Sequence, residues 1–136
     1  MRYAPYDNEY QAAKTLTAAQ QLEYFLMRIF ETEEVWGLDD GTEWIFRESS
    51  EAETTLPVWP YQKYAREAAV GIWAEYQPQA ESLEDFMQHT LAMLIEEQAM
   101  MEIMPGPDQP GCLISPHQLL SILEGMIDAG EYRMDG

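Results

Sequence analysis

Thr54-Thr55-Leu56-Pro57-Val58-Trp59-Pro60 is the stretch whose reading decides the fold. Its apolar and β-branched residues describe an extended segment. Pro57 lacks an N–H, which predicts a short or edge strand. Pro60 predicts the first turn of a helix, where a missing N–H costs nothing. Tyr61, Tyr64, Ala65, Ala68, Ala69 and Ile72 then recur at helical spacing. The small alanines in that stripe predict close packing of the helix on a sheet.

Upstream, Val35-Trp36-Gly37-Leu38 and Trp44-Ile45-Phe46 flank Asp39-Asp40-Gly41-Thr42. Aromatic and β-branched runs around an Asp-Gly turn predict a hairpin. Residues 48–53 are polar and acidic and predict a loop. Earlier still, Thr17 and Gln20 have the spacing of a reciprocal helix cap. Leu22, Phe25, Leu26, Ile29 and Phe30 form the apolar stripe behind it. Glu31, Glu33 and Glu34 oppose the helix dipole, which predicts a stop near Glu31.

Downstream, residues 73–80 predict a short strand. Ser82 caps a helix with Leu83, Phe86, Met87, Leu91 and Leu94 on its apolar face. Met100, Met101 and Met104 punctuate a strand with one face in the core. Residues 105–111 are dense in Pro and Gly and predict a turn. Cys112-Leu113-Ile114 is the returning strand. The last helix has Ser115 as cap, Pro116 in the first position and Gln118 closing the cap. Leu119, Ile122, Leu123, Met126 and Ile127 are its stripe, and Gly130 its stop.

These elements predict an α+β fold, a small mixed β-sheet packed against about four helices in a single domain. The domain is expected over residues 16–130. Residues 1–15, with Tyr3, Tyr6 and Tyr10, read as an N-terminal arm, and 131–136 as a C-terminal tail.

The charge is lopsided: 25 Asp and Glu against 7 Lys and Arg, a net charge of -18 among 136 residues of which 46% are hydrophobic. A disordered acidic segment is poor in aromatics, whereas this chain has four Trp, eight Tyr and four Phe. It is expected to fold around a core and carry an acidic coat. Such a coat opposes nucleic acid and anionic membranes, because both need clustered Lys and Arg. No run of ~18 apolar residues is present, so no membrane span is expected. Residues 1–14 lack the apolar core of a secretory leader. Cys112 is the one cysteine, which excludes an internal disulfide. Cytoplasm is the expected compartment.

Candidate chemistry is sparse. His89 lies mid-helix on a polar side and His117 in the first turn of the last helix, both expected at the surface. Cys112 lies five residues before His117, but a thiol in an apolar strand reads as core filling. Asp39-Asp40-Gly41-Thr42-Glu43 lacks the alternating ligands of a calcium loop and reads as the hairpin turn. No phosphate-cradling glycine loop is present. No metal, cofactor or catalytic residue is expected.

Glu34-Val35-Trp36-Gly37-Leu38, Leu56-Pro57-Val58-Trp59-Pro60 with Tyr64-Ala65, residues 73–78, Leu83 with Phe86, Ile103-Met104-Pro105, and Pro116 with Leu119 together resemble a bacterial family, domain of unknown function 2750. The resemblance covers residues from about 16 to 126, and Leu-Pro-Val-Trp-Pro is its most specific part. The family name states no function and carries over no catalytic residue. The order of hairpin, apolar-Pro strand, helix and late strand pair also resembles the N-terminal domain of the serine-sensitivity-enhancing proteins, a likeness of pattern that licenses no shared activity.

A foldable core without a catalytic constellation points to a non-enzymatic protein-binding or regulatory module. Trp59, Tyr61, Tyr64 and Trp36 are its expected partner surface. Two alternatives stay open: an acidic inhibitor or immunity-type protein of a basic partner, steered by charge, and a small-ligand-binding domain, marked by a pocket with a perturbed carboxylate.

Overall fold

The computed structural model describes residues 7–13, 15–48, 54–106 and 110–129. Its two longest helices begin where the sequence provides caps. The Thr17 hydroxyl accepts the Gln20 N–H at 3.2 Å, and the Gln20 side chain accepts the Thr17 N–H at 3.0 Å. That reciprocal cap starts α2 (Ala18–Thr32), which buries Phe25, Leu26, Ile29 and Phe30. The helix runs one residue past the expected stop, and Glu33 then turns left-handed at φ 59°.

Ahead of α2, residues expected to form an N-terminal arm include a helix, α1 (Asp7–Ala13). Ala13 is buried, and Glu9 ties the helix down. The Glu9 carboxylate accepts the Tyr24 hydroxyl at 2.5 Å and the Arg28 Nε at 3.1 Å. Tyr24 and Tyr64 hydroxyls lie 2.9 Å apart, joining α2 to the later helix. Tyr3, Tyr6, the side chain of Tyr10 and the segment 131–136 lie outside the described residues.

Burial, then the neighbouring Glu9 carboxylate, hold the Tyr24 phenol far above its ordinary range. Burial pushes Tyr64 up to about 12. The neutral phenols therefore belong to the fold. Their contribution is whole below the unfolded value near ~10 and is lost as pH rises through the folded values. A spectrophotometric titration should show two tyrosines ionising late, together with unfolding, and Tyr24→Phe should remove one of them. Ordinary titration of every tyrosine in the folded protein would refute this.

β1 (Glu34–Asp39) was expected to pair with residues 44–46. Its ladder partner is instead β4 (Gln77–Ser82), antiparallel, with Gly37 opposite Gln79. The turn itself forms: the Asp39 carboxylate accepts the Gly41 N–H at 2.6 Å, and Gly41 has φ 106°. Only an isolated Asp39–Trp44 bridge and an Ile45 N–H to Leu38 carbonyl bond of 2.7 Å join the returning segment to β1. The pairing stops there because Trp59 takes the same edge of β1 at Trp36, opposite the edge that β4 holds. The Trp44 indole meanwhile lies on the bare face of Gly37.

β2 (Arg47–Glu48), β3 (Thr54–Val58), β5 (Met100–Ile103) and β6 (Cys112–Ile114) form a second sheet in the order β2-β3-β5-β6. The β3–β5 pair is parallel and the other two are antiparallel, so the sheet is mixed. β3 is thus short, at five residues, but an inner strand and not an edge. Pro57 is tolerated there because of where its missing N–H falls. Val58 directs its carbonyl to Met104 at 2.9 Å, so Pro57, one residue earlier, faces the opposite side. On that side β2 covers Thr55 and β1 covers Trp59, with Pro57 between them. The Trp36–Trp59 bridge, two backbone bonds of 2.9 and 2.8 Å, links the two sheets.

Trp59 stays extended, as a residue before proline prefers. The next helix, α3 (Gln62–Ala68), therefore starts two residues after Pro60, with extended Tyr61 in the cap position. Tyr64, Ala65 and Ala68 face inward as expected; the side chain of Ile72 lies outside the described residues. A 3₁₀ turn (Gly71–Trp73) leads to β4, which begins later than the expected strand.

Ser82 caps the next rod, accepting the Asp85 N–H at 3.1 Å. The rod is α4 (Leu83–Asp85), a π turn (Phe86–Thr90) and α5 (Leu91–Glu97). The Leu91 N–H reaches the Phe86 carbonyl five residues back. That wide turn keeps Phe86 and Leu91 both fully buried despite their five-residue spacing. α6 (Pro116–Asp128) has Ser115 accepting the Gln118 N–H at 3.1 Å and buries Leu119 and Leu123. The result is a single-domain α+β fold with one shared core.

Candidate functional site

Trp59, Tyr61 and Tyr64, expected to face a partner, are core residues at 1%, 0% and 8% exposure. This corrects their assignment as a surface. The indole N–H of Trp59 donates to the Pro105 carbonyl at 2.8 Å, and its ring meets Trp73 edge-on at 6.2 Å. Trp36 is half-buried and holds the bridge to Trp59 through its backbone.

His89 and His117 are exposed, as expected. Burial pushes the Cys112 thiol up, which suppresses the thiolate that nucleophilic chemistry uses. The backbone N–H groups of Glu43 and Thr42 hold the Asp40 carboxyl below its usual range. Its Oδ1 already accepts both, at 3.1 and 3.0 Å, as a turn residue does. Met101 and Met104 are buried, and Met100 half-buried.

The structure instead brings together a site with no contiguous motif. A half-open cavity of about 310 Å³ lies between the 39–46 segment, β4 and the π-turn rod. Trp44 and Phe46 come from the returning segment, Leu56 from β3, Gln79, Ala80 and Glu81 from β4, Thr90 from the π turn and Met93 from α5. Asp39, Thr42 and Glu43 complete the lining from the turn. Its volume falls at the lower end of the range typical of small-molecule sites.

Each wall has a local cause. Trp44 is clamped on three sides: Gly37 beneath, the Gln79 carbonyl accepting its N–H at 3.0 Å, and Phe86 at 6.3 Å between ring centroids. The Thr90 hydroxyl donates to Glu81 Oε1. The π turn sets Thr90 beside β4 while its neighbour Leu91 enters the core. π turns recur at functional sites.

Glu81 is the unusual group. Burial raises its carboxyl above the ordinary range, and Asp85 adds to this, while the Thr90 hydroxyl and His89 pull the other way. Folding therefore disfavours the carboxylate near neutral pH, and the native state is relieved of this cost only as pH falls toward the unfolded value. Glu81→Gln keeps an acceptor for Thr90 and removes the charge. It should raise stability slightly, by less than ~1 kcal/mol after solvent screening. A clear fall in Tm would show that the charge supports the fold instead.

Sequence reading missed Trp44, Phe46, Glu81 and Thr90 as a group. Two signals pointed to them: a glycine centred in an aromatic strand, and the five-residue step from Phe86 to Leu91.

The fold and cavity define a small α+β domain with an acid- and aromatic-lined recess. The chain belongs to the family described as Protein of unknown function (DUF2750), whose profile matches residues 22–123. That span contains every residue lining the cavity. Neither a curated protein nor a solved structure matches the chain. Among the described residues no helix is long and apolar enough to cross a membrane. Among the same residues no three His, Cys, Asp or Glu side chains group as a metal site.

Proposed function

We propose that this protein is a non-enzymatic binding module that holds a small ligand in the cavity beside Trp44. The observation that supports this most is the placement of Glu81. A carboxylate whose ionisation opposes folding is kept beside aromatic walls in a recess of ligand size. Groups retained at a cost to stability gather at working sites. We also assign it to the cytoplasm, an assignment supported by the single cysteine of the sequence.

The test is a fragment screen read by thermal shift and by amide shifts in NMR. Ligands should raise Tm and perturb residues 39–46, 79–81 and 90–93. Met93→Glu, at a rim position that is 40% exposed, should weaken them without unfolding the protein. A diverse screen that stabilises nothing, or hits that map elsewhere, would refute the reading.

A second reading, an acidic protein that captures a basic partner, is favoured by one observation. Residues 67–132 contain no Lys or Arg. Glu84, Asp85, Glu96, Glu97 and Glu124 are exposed on α4, α5 and α6. Exposed charge of one sign steers cationic partners. Co-purification from the native host that is abolished by Glu96→Lys with Glu97→Lys, and by moderate salt, would favour it over the cavity.

A further inference from the structure

We infer that the cavity selects a small primary ammonium, with its nitrogen against Glu81 and an apolar body along Trp44 and Phe46. The inference rests on the cavity being the working site. It follows from how the lining charges are already used. Among the described residues Asp39, Glu43 and Glu81 line the recess, and neither Lys nor Arg does. An anionic ligand would meet three like charges. A neutral one would leave their repulsion as it stands.

The three carboxylates are not equivalent. Asp39 is occupied by the turn, accepting the Gly41 N–H at 2.6 Å. Glu43 is exposed and remains hydrated. Glu81 is half-buried, and one oxygen accepts the Thr90 hydroxyl. Its other oxygen receives no hydrogen bond from the described residues. A carboxylate partly removed from water with one open oxygen gains most from a donor that is also positive. Primary ammonium supplies both properties. A quaternary ammonium supplies charge alone and would depend on an aromatic cage.

Size narrows the class. A recess of about 310 Å³ holds the equivalent of roughly ten waters, and so a ligand of roughly ten non-hydrogen atoms. A flat ring on a short amine chain meets both halves of the lining. The charged neighbours of Glu81 set a pH dependence. Asp85 disfavours its carboxylate, His89 favours it, and Asp39 and Glu43 share the cavity. Ammonium affinity should fall as pH drops through the raised range of Glu81, while a neutral ligand is unaffected.

The test is calorimetric titration of the whole chain at low salt with phenethylamine, its neutral isostere 2-phenylethanol, and trimethyl-phenethylammonium. Phenethylamine should bind at least about tenfold more tightly than the alcohol, the gain of one charge-assisted hydrogen bond. It should also exceed the trimethyl compound. Glu81→Gln should erase the preference, and Glu96→Gln, an exposed α5 position outside the lining, should keep it. Equal binding of amine and alcohol overturns the inference and leaves the cavity as a neutral-ligand site; a preference that survives Glu81→Gln overturns the assignment of the nitrogen to Glu81. If neither these compounds nor any fragment binds there, the cavity reading falls and this inference with it. Should Glu81→Gln fail to fold, the pH dependence of amine against alcohol in the unaltered protein decides: parallel curves overturn the inference.

Discussion

Trp59→Ala is expected to lose roughly 4 kcal/mol of stability, within the range for large aromatics cut back to alanine in a core. The indole is 1% exposed, packs edge-on against Trp73 at 6.2 Å and donates to the Pro105 carbonyl at 2.8 Å. Its backbone also carries the bridge between the two sheets. Trp59→Phe isolates the polar part. Most of the ring volume stays, but the carbonyl loses its donor, so about 2 kcal/mol should be lost. Urea unfolding checks both: the midpoint should fall in the order Phe, then Ala, with the slope unchanged. A Trp59→Ala protein as stable as the parent would restore this residue to the surface role first expected for it.

Gly37→Ala should cost about 1–3 kcal/mol, the range for overpacking a close-packed interior. A methyl group there would lie 2.6 Å from Cδ2 and Cε2 of Trp44. The ring has nowhere easy to go, because Phe86 and the Gln79 carbonyl hold it from other directions. The cavity wall should therefore shift, and ligand binding should weaken with stability. A double-mutant cycle tests the cause. In a Trp44→Ala background the same substitution should be nearly free, giving a coupling of roughly 1 kcal/mol or more. An undiminished cost in that background would mean that Trp44 is not what the glycine accommodates.

Local signals were readable in the sequence. The caps at Thr17, Ser82 and Ser115 formed where their spacing placed them, because a cap needs only its own first turn. The strands at 54–58, 100–103 and 112–114 were likewise visible as short apolar runs. Pairing was not. Gln77-Pro78-Gln79-Ala80-Glu81-Ser82 has no clear apolar alternation, yet it pairs along the whole of one edge of β1, while the nearer 44–45 segment shares the other edge with Trp59. Pro57 suggested an edge because its relief comes from two separate neighbours, β2 and Trp36, far apart in the chain. Trp59 and Tyr61 could not be assigned to core or surface from residue type, since aromatics serve both. The cavity was invisible for a related reason. Glu81 and Thr90 acquire meaning only once a returning segment, a strand and a π turn meet.

The stretch without Lys or Arg also sets how the molecule can be handled. A protease that cleaves after those residues can cut at exposed Arg66 on α3 and then finds no target through β4, the π-turn rod, β5, β6 and α6. Peptide mapping with trypsin will therefore return half the domain, including Glu81, Thr90 and Met93, in one very long fragment. Amine-directed labels and cross-linkers will leave that half blank, so footprinting there must use carboxylate, methionine or tryptophan chemistry.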